Sequence, residues 1–136
     1  MAKQKLNKTQ LAVPYSSTIH GTTQDVNLTP GSTQYVGFKI TTNTYSISVP
    51  RDGIIKNLFV YTSSAPGVGK DYACTIMKNN VAQALTCIIS GSGTNFASDT
   101  SHSFTIAAGD RISLRTVITA AATAMPLDWS IEFQAT

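Results

Sequence analysis

The residues Ala65-Pro66-Gly67-Val68-Gly69-Lys70 share the spelling of a phosphate-cradling loop in a nucleotide hydrolase. That loop needs a glycine five positions before Gly69 and a hydroxyl residue after the lysine, and the chain has Ser64 and Asp71 there. The missing hydroxyl removes the usual Mg²⁺ ligand. Asp71 puts negative charge where phosphates require positive potential and backbone N–H donors. The stretch therefore reads as a turn bent by Pro66, Gly67 and Gly69, with Lys70 and Asp71 on its rim.

The remaining reactive side chains are sparse: two histidines, His20 and His102, one glutamate and six aspartates. A metal site wants three or four ligands of suitable type and geometry, and no spacing here supplies them, so His102 reads as an exposed loop histidine. Ser90-Gly91-Ser92-Gly93 lacks the strand-to-helix context of a nucleophile elbow and reads as a loop. No catalytic, metal or cofactor-binding residue emerges, which points away from an enzyme. Cys74 and Cys87 fall on the same strand face as Ile76, Leu85 and Ile89 and read as buried free thiols. A disulfide remains open to them if a bulge shifts the hairpin register by one or two places.

The elements that carry these residues are strands. Only 12% of the 136 residues are charged, and Thr, Ser, Val and Ile abound, a composition suited to half-buried sheet. From Tyr35 onward the apolar period is two: Val36, Phe38 and Ile40 alternate with polar residues, as do Tyr45, Ile47 and Val49. After the turn Pro50-Arg51-Asp52-Gly53, "IIKNLFVYT" makes a strand apolar on both faces, with Phe59 and Tyr61 opposed to Leu58 and Val60. "YACTIMK" and "VAQALTCIIS" flank Asn79-Asn80, which suits a tight hairpin turn; Lys78 then faces Val81, and Cys74 faces Leu85. "SFTIA", "RISLRTVIT" and "LDWSIEFQ" complete the set, the last placing Trp129 on the apolar face as a core anchor.

The expected fold is all-β: a single eight-stranded antiparallel β-sandwich, a jelly roll, over residues 35–136. Residues 1–34, rich in Thr, Ser, Gln and Asn, read as an extended N-terminal arm that cannot offset its ordering entropy alone. Lys3, Lys5 and Lys8 of that arm supply three positive charges, and the other seven basic side chains balance the seven acidic ones, which leaves the net charge of +3. The neutral body argues against an extensive nucleic-acid face. No run reaches the length of a membrane span, and the start has no apolar core of a secretory signal, so synthesis in a cytoplasm without export by that route is expected.

"VPRDGIIKNLFVYT", "CTIMKNNVAQALTCIIS", "FTIAAGDRISLRTVI" and "LDWSIEF" together resemble the jelly-roll modules related to the C1q and tumour-necrosis-factor heads. The shared features are a Pro/Asp/Gly turn into a long strand, a Lys-Asn hairpin and an Ala-Gly-Asp turn into the penultimate strand. The resemblance implies a homotrimer, and such modules recur in tailed bacteriophages as capsid decoration (cement) proteins and fibre heads. With no shaft segment and a basic arm, the chain fits decoration: a structural virion protein on the capsid exterior whose partner is the major capsid protein. The alternative is a receptor- or carbohydrate-binding head of a fibre or tail. On the decoration reading residues 1–18 attach, through Lys3, Lys5, Lys8, Leu11, Val13 and Tyr15. Phe59, Tyr61 and Met125 are the candidate subunit contacts, and Tyr15, Tyr35, Tyr61 and Tyr72 are candidates to line a glycan or subunit contact.

Overall fold

The computed structural model describes residues 16–22, 33–36, 46–119, 122 and 127–136. Nine strands run through them: β1 (Ser16–Thr22), β2 (Thr33–Val36), β3 (Ile47–Ser48), β4 (Gly53–Thr62), β5 (Gly67–Lys78), β6 (Val81–Gly91), β7 (Phe96–Ile106), β8 (Arg111–Ile118) and β9 (Leu127–Ala135). One antiparallel sheet has the order β1-β9-β4-β7; the other runs β8-β5-β6, with β2 and β3 both on the far edge of β8. The expected all-β sandwich of two antiparallel sheets is therefore present, and no helix occurs among the described residues.

Alternation fills the core from both sides. β9 turns Leu127, Trp129, Ile131, Phe133 and Ala135 inward, and β4 adds Ile55, Leu58 and Val60. From the other sheet come Tyr72, Cys74 and Ile76, then Leu85, Cys87 and Ile89, then Ile112, Leu114 and Ile118. Gly53 permits the close approach of β4 to β9: a Cβ there would lie 2.5 Å from the Gln134 carbonyl oxygen and 2.6 Å from the Phe133 ring.

Bulges decide which side chains face inward. Ile55 and Leu58, three apart, are both buried because Asn57 takes φ 53° and breaks the period between Lys56 and Leu58. Asn tolerates that left-handed backbone better than most residues, and its Nδ2 donates to Glu132 Oε2 at 2.6 Å. In the β5–β6 hairpin, Asn79 (φ 48°) and Asn80 (φ 66°) form the expected turn, and Lys78 faces Val81. Beyond it Met77 pairs with Ala82 but Thr75 with Thr86, so Gln83, Ala84 and Leu85 stand opposite Ile76 alone. This moves the register by two residues, and Cys74 faces Cys87 rather than Leu85.

Several expected boundaries also change. Of the expected arm, Ser16–Thr22 pairs with β9, and Thr33 and Gln34 open β2, which pairs with β8; among the described residues both lie at the ends of their sheets, held by backbone pairing that apolar periodicity does not report. Of the two strands expected at residues 35–49, residues 37–45 lie outside the described residues; Tyr35 and Val36 end β2, which meets Val117 to Leu114, and Ile47 and Ser48 meet Ile112 and Arg111 further along the same edge of β8. β5 begins at Gly67, five residues before the expected start, with φ of 112° at Gly67 and 68° at Gly69. β7 extends back from the expected Phe104 region to Phe96. The rest of the expected arm, 1–15 and 23–32, lies outside the described residues.

Candidate interaction surface

Three arrangements have side chains suited to chemistry or recognition. The first is the phosphate-loop look-alike. Gly67 to Lys70 is strand, and β5 continues through Asp71 with no helix to aim N–H groups at a phosphate. Asp71 is fixed to the end of β8, its N–H donating to Thr119 Oγ1 at 3.1 Å and its carbonyl accepting from Thr119 N at 3.1 Å. The reading of this segment as a glycine-bent connection survives in its dihedrals, although the bend lies inside a strand.

The second is a polar cluster on β7 that sequence reasoning did not find. Opposite the single residue Asn57, β7 carries Thr100, Ser101 and His102 between the pairs Asp99–Leu58 and Ser103–Lys56. N–H groups freed from the ladder by this bulge turn to the carboxylate of Asp99. Its Oδ1 accepts from Ser101 N at 3.1 Å, Ser101 Oγ at 3.0 Å and His102 N at 3.2 Å. Its Oδ2 accepts from Thr86 N at 3.0 Å, across the sandwich on β6, and lies 2.8 Å from His102 Nδ1. Burial to 6% exposure opposes ionisation of Asp99. The donors on Thr86, His102 and Ser101 outweigh it and hold the carboxyl well below the usual carboxylate range. His102 was expected in a loop; it lies within β7, with its side chain 56% exposed.

Ser, His and Asp in contact invite comparison with a hydrolytic triad, but a triad engages the two ring nitrogens separately, Nε2 toward Ser and Nδ1 toward Asp. Here Ser101 Oγ (3.4 Å) and Asp99 Oδ2 (2.8 Å) both meet Nδ1. Ser101 also gives its hydroxyl proton to Asp99. The geometry is that of a clamp joining the two sheets at their adjacent edges. Among the described residues, no group of three or more His, Cys, Asp or Glu could hold a metal ion.

The third arrangement lies on the outer face of the β1-β9-β4-β7 sheet. Phe59, Tyr61 and Phe96 are 41%, 51% and 45% exposed. Register brings them together: Tyr61 faces Phe96 on one side and Asp128 on the other, and Phe59 faces Ser98 and Ser130. The Phe59 and Phe96 rings pack at 6.0 Å between centroids, tilted by 31°, within the range favoured by aromatic pairs. With Asp128 and Ser130 they border a recess of about 120 Å³ whose walls include Val60 and Trp129. Trp129 is 2% exposed, as expected of a core anchor, and its Nε1 finds no partner among the described residues.

Of the expected contact residues, Phe59 and Tyr61 thus lie side by side on one surface, joined by Phe96. That residue was missed because "NFASDTSHS" shows no apolar alternation to mark it as strand. Tyr72 is corrected: it is fully buried, its phenol pushed up by burial, and cannot line a glycan or subunit contact. Lys3, Lys5, Lys8, Leu11, Val13, Tyr15 and Met125 lie outside the described residues, and Tyr35 is placed only by its backbone pairing with Arg115. Neither a protein-family model nor a curated protein matches the chain.

Proposed function

We propose that the protein is a non-enzymatic structural module, a jelly roll that self-associates as a trimer and decorates the exterior of a bacteriophage capsid by binding its major capsid protein. The observation that carries the self-association is the aromatic group Phe59, Tyr61 and Phe96, gathered on a sheet face with roughly half of each side chain in solvent. At 150–250 Å² per aromatic side chain, such exposure leaves on the order of 300 Å² of ring surface. That is less than the roughly 800 Å² per partner of a standard interface, so the trio forms its apolar centre, with Ser98, Asp128 and Ser130 at the rim. The strand orders β1-β9-β4-β7 and β8-β5-β6 support the jelly-roll reading, and the decoration role rests on the resemblance of the turn motifs to C1q- and tumour-necrosis-factor-like modules, a form that recurs in phage decoration proteins.

A trimer would present three N-terminal segments at once, so weak shell contacts combine through effective concentration. Since β1 begins at Ser16, the attachment role falls to residues 1–15, where Lys3, Lys5, Lys8, Leu11, Val13 and Tyr15 lie. The test is deletion of residues 1–15: the shortened chain stays folded and trimeric but no longer sediments with phage heads. Undiminished attachment contradicts the assignment. A host-surface or carbohydrate-binding head is the second reading, favoured by the aromatic recess with Asp128 on its border. Glycan-array binding abolished by Tyr61→Ala, together with antibody labelling of tail tips rather than heads on intact particles, would establish it instead.

A further inference from the structure

The two-residue slip in the β5–β6 hairpin has put the chain's only two cysteines directly opposite each other. Facing residues in an antiparallel pair have Cα atoms roughly 4.5–5.5 Å apart, inside the 4.4–6.8 Å that a disulfide spans without moving the backbone. Cys74 and Cys87 point to the same side, into the core, at 0% and 7% exposure. Both are free thiols, within hydrogen-bonding reach of one another. From this geometry we propose that Cys74 and Cys87 are a modification site, closing reversibly into an intramolecular disulfide that staples β5 to β6.

The surroundings divide the chemistry between the two sulfurs. Cys74 Sγ has a second polar neighbour, Thr116 Oγ1 at 3.6 Å. With the Cys87 thiol as its main support, this lowers the acidity threshold of Cys74 against the opposing effect of burial. Cys87 is pushed far up by its bond to Cys74, by burial and by the negative charges of Cys74 and Asp99. Cys87 is the slightly more accessible sulfur of the two.

The oxidant is a small-molecule disulfide, RSSR. One cysteine thiolate attacks a sulfur of RSSR, forming a mixed disulfide and expelling RS⁻, which takes up a proton. The other cysteine, deprotonated in its turn, attacks the protein sulfur of that mixed disulfide and expels the second RS⁻. Two electrons and two protons leave the protein, and two RSH are formed. Because both sulfurs are buried, exchange requires local opening of the hairpin and is slow at rest.

The full chain is equilibrated in buffers of oxidised and reduced glutathione, natively and in unfolding guanidinium, starting from both the dithiol and the disulfide so that slow exchange is not mistaken for equilibrium. Alkylation and mass spectrometry then give the ratio of disulfide to dithiol. The native ratio should exceed the unfolded one by about a hundredfold, the factor expected for a closed loop of about this length, with tryptic peptide 71–78 linked to 79–111. By linkage the oxidised chain then unfolds at a higher temperature. A native ratio equal to or below the unfolded one, or single glutathione adducts accumulating in place of the internal link, overturns the proposal.

Discussion

The outer faces of the two sheets are built from the same alternation and expose different chemistry. On the β1-β9-β4-β7 sheet the outward positions of β4 and β7 include Phe59, Tyr61 and Phe96, grouped around a recess. On the other sheet, exposed Ile88 and Val117 flank Ala73 in a single aliphatic row. The next row is Thr86, Thr75 and Arg115, with the two threonine hydroxyls 3.1 Å apart. A short exposed aliphatic row is ordinary on soluble proteins, whereas aromatic residues are enriched where binding energy concentrates. On the proposed self-association, subunit contacts are expected on the first face and not on the second.

The largest effect should come from removing the aromatics. Phe59→Ser with Tyr61→Ser is expected to weaken self-association by at least about a hundredfold, near 3 kcal/mol, leaving circular dichroism unchanged. Ile88→Ser with Val117→Ser should leave association as it is, and sedimentation equilibrium of the two double variants measures the contrast.

Next come changes to the scaffold behind the aromatic face. Asp99→Ala strips the acceptor from N–H groups of Thr86, Ser101 and His102 and should cost about 2–3 kcal/mol in denaturant unfolding. The pH dependence has a definite sign. The folded pKa of Asp99 lies below its unfolded value, so its contribution is full above the unfolded pKa of about 4 and is lost as pH falls through the folded pKa. Wild type and Asp99→Asn should differ most at neutral pH and converge below about pH 4; a difference that stays flat into strong acid contradicts the clamp. Gly53→Ala, which drives a methyl into the Gln134 carbonyl and the Phe133 ring, should cost about 1–3 kcal/mol. On the opposite face Thr75→Val should change stability by roughly 1 kcal/mol or less, the smallest effect of the set.

Interior strands were legible where apolar period and burial coincide. In β9 the residues Leu127, Trp129, Ile131 and Phe133 are inward as their spacing implies, and the Asn79-Asn80 turn follows from residue chemistry alone. What escaped was held by polar groups or backbone. β7 is invisible from Ala97 to Ser103 because its buried position is Asp99, a carboxylate satisfied by donors that periodicity does not count. β1 contains one strong apolar residue, Ile19, and among the described residues it pairs with β9 alone. The Cys74–Cys87 pairing needed a bulge opposite Ile76 whose extent the sequence left open. The aromatic surface was half legible: Phe59 and Tyr61 stand out on a strand apolar on both faces, whereas Phe96 becomes their neighbour only through the β4–β7 register.

Light scattering coupled to size exclusion tests the central claim most directly. The wild-type chain should elute with three times the 14.5 kDa mass of one copy, and the Phe59→Ser, Tyr61→Ser variant should shift toward the mass of a single chain while remaining folded. A wild-type protein that stays at one-copy mass at tens of micromolar, or a variant whose assembly is undiminished, would contradict the assignment of the aromatic sheet face as the subunit contact.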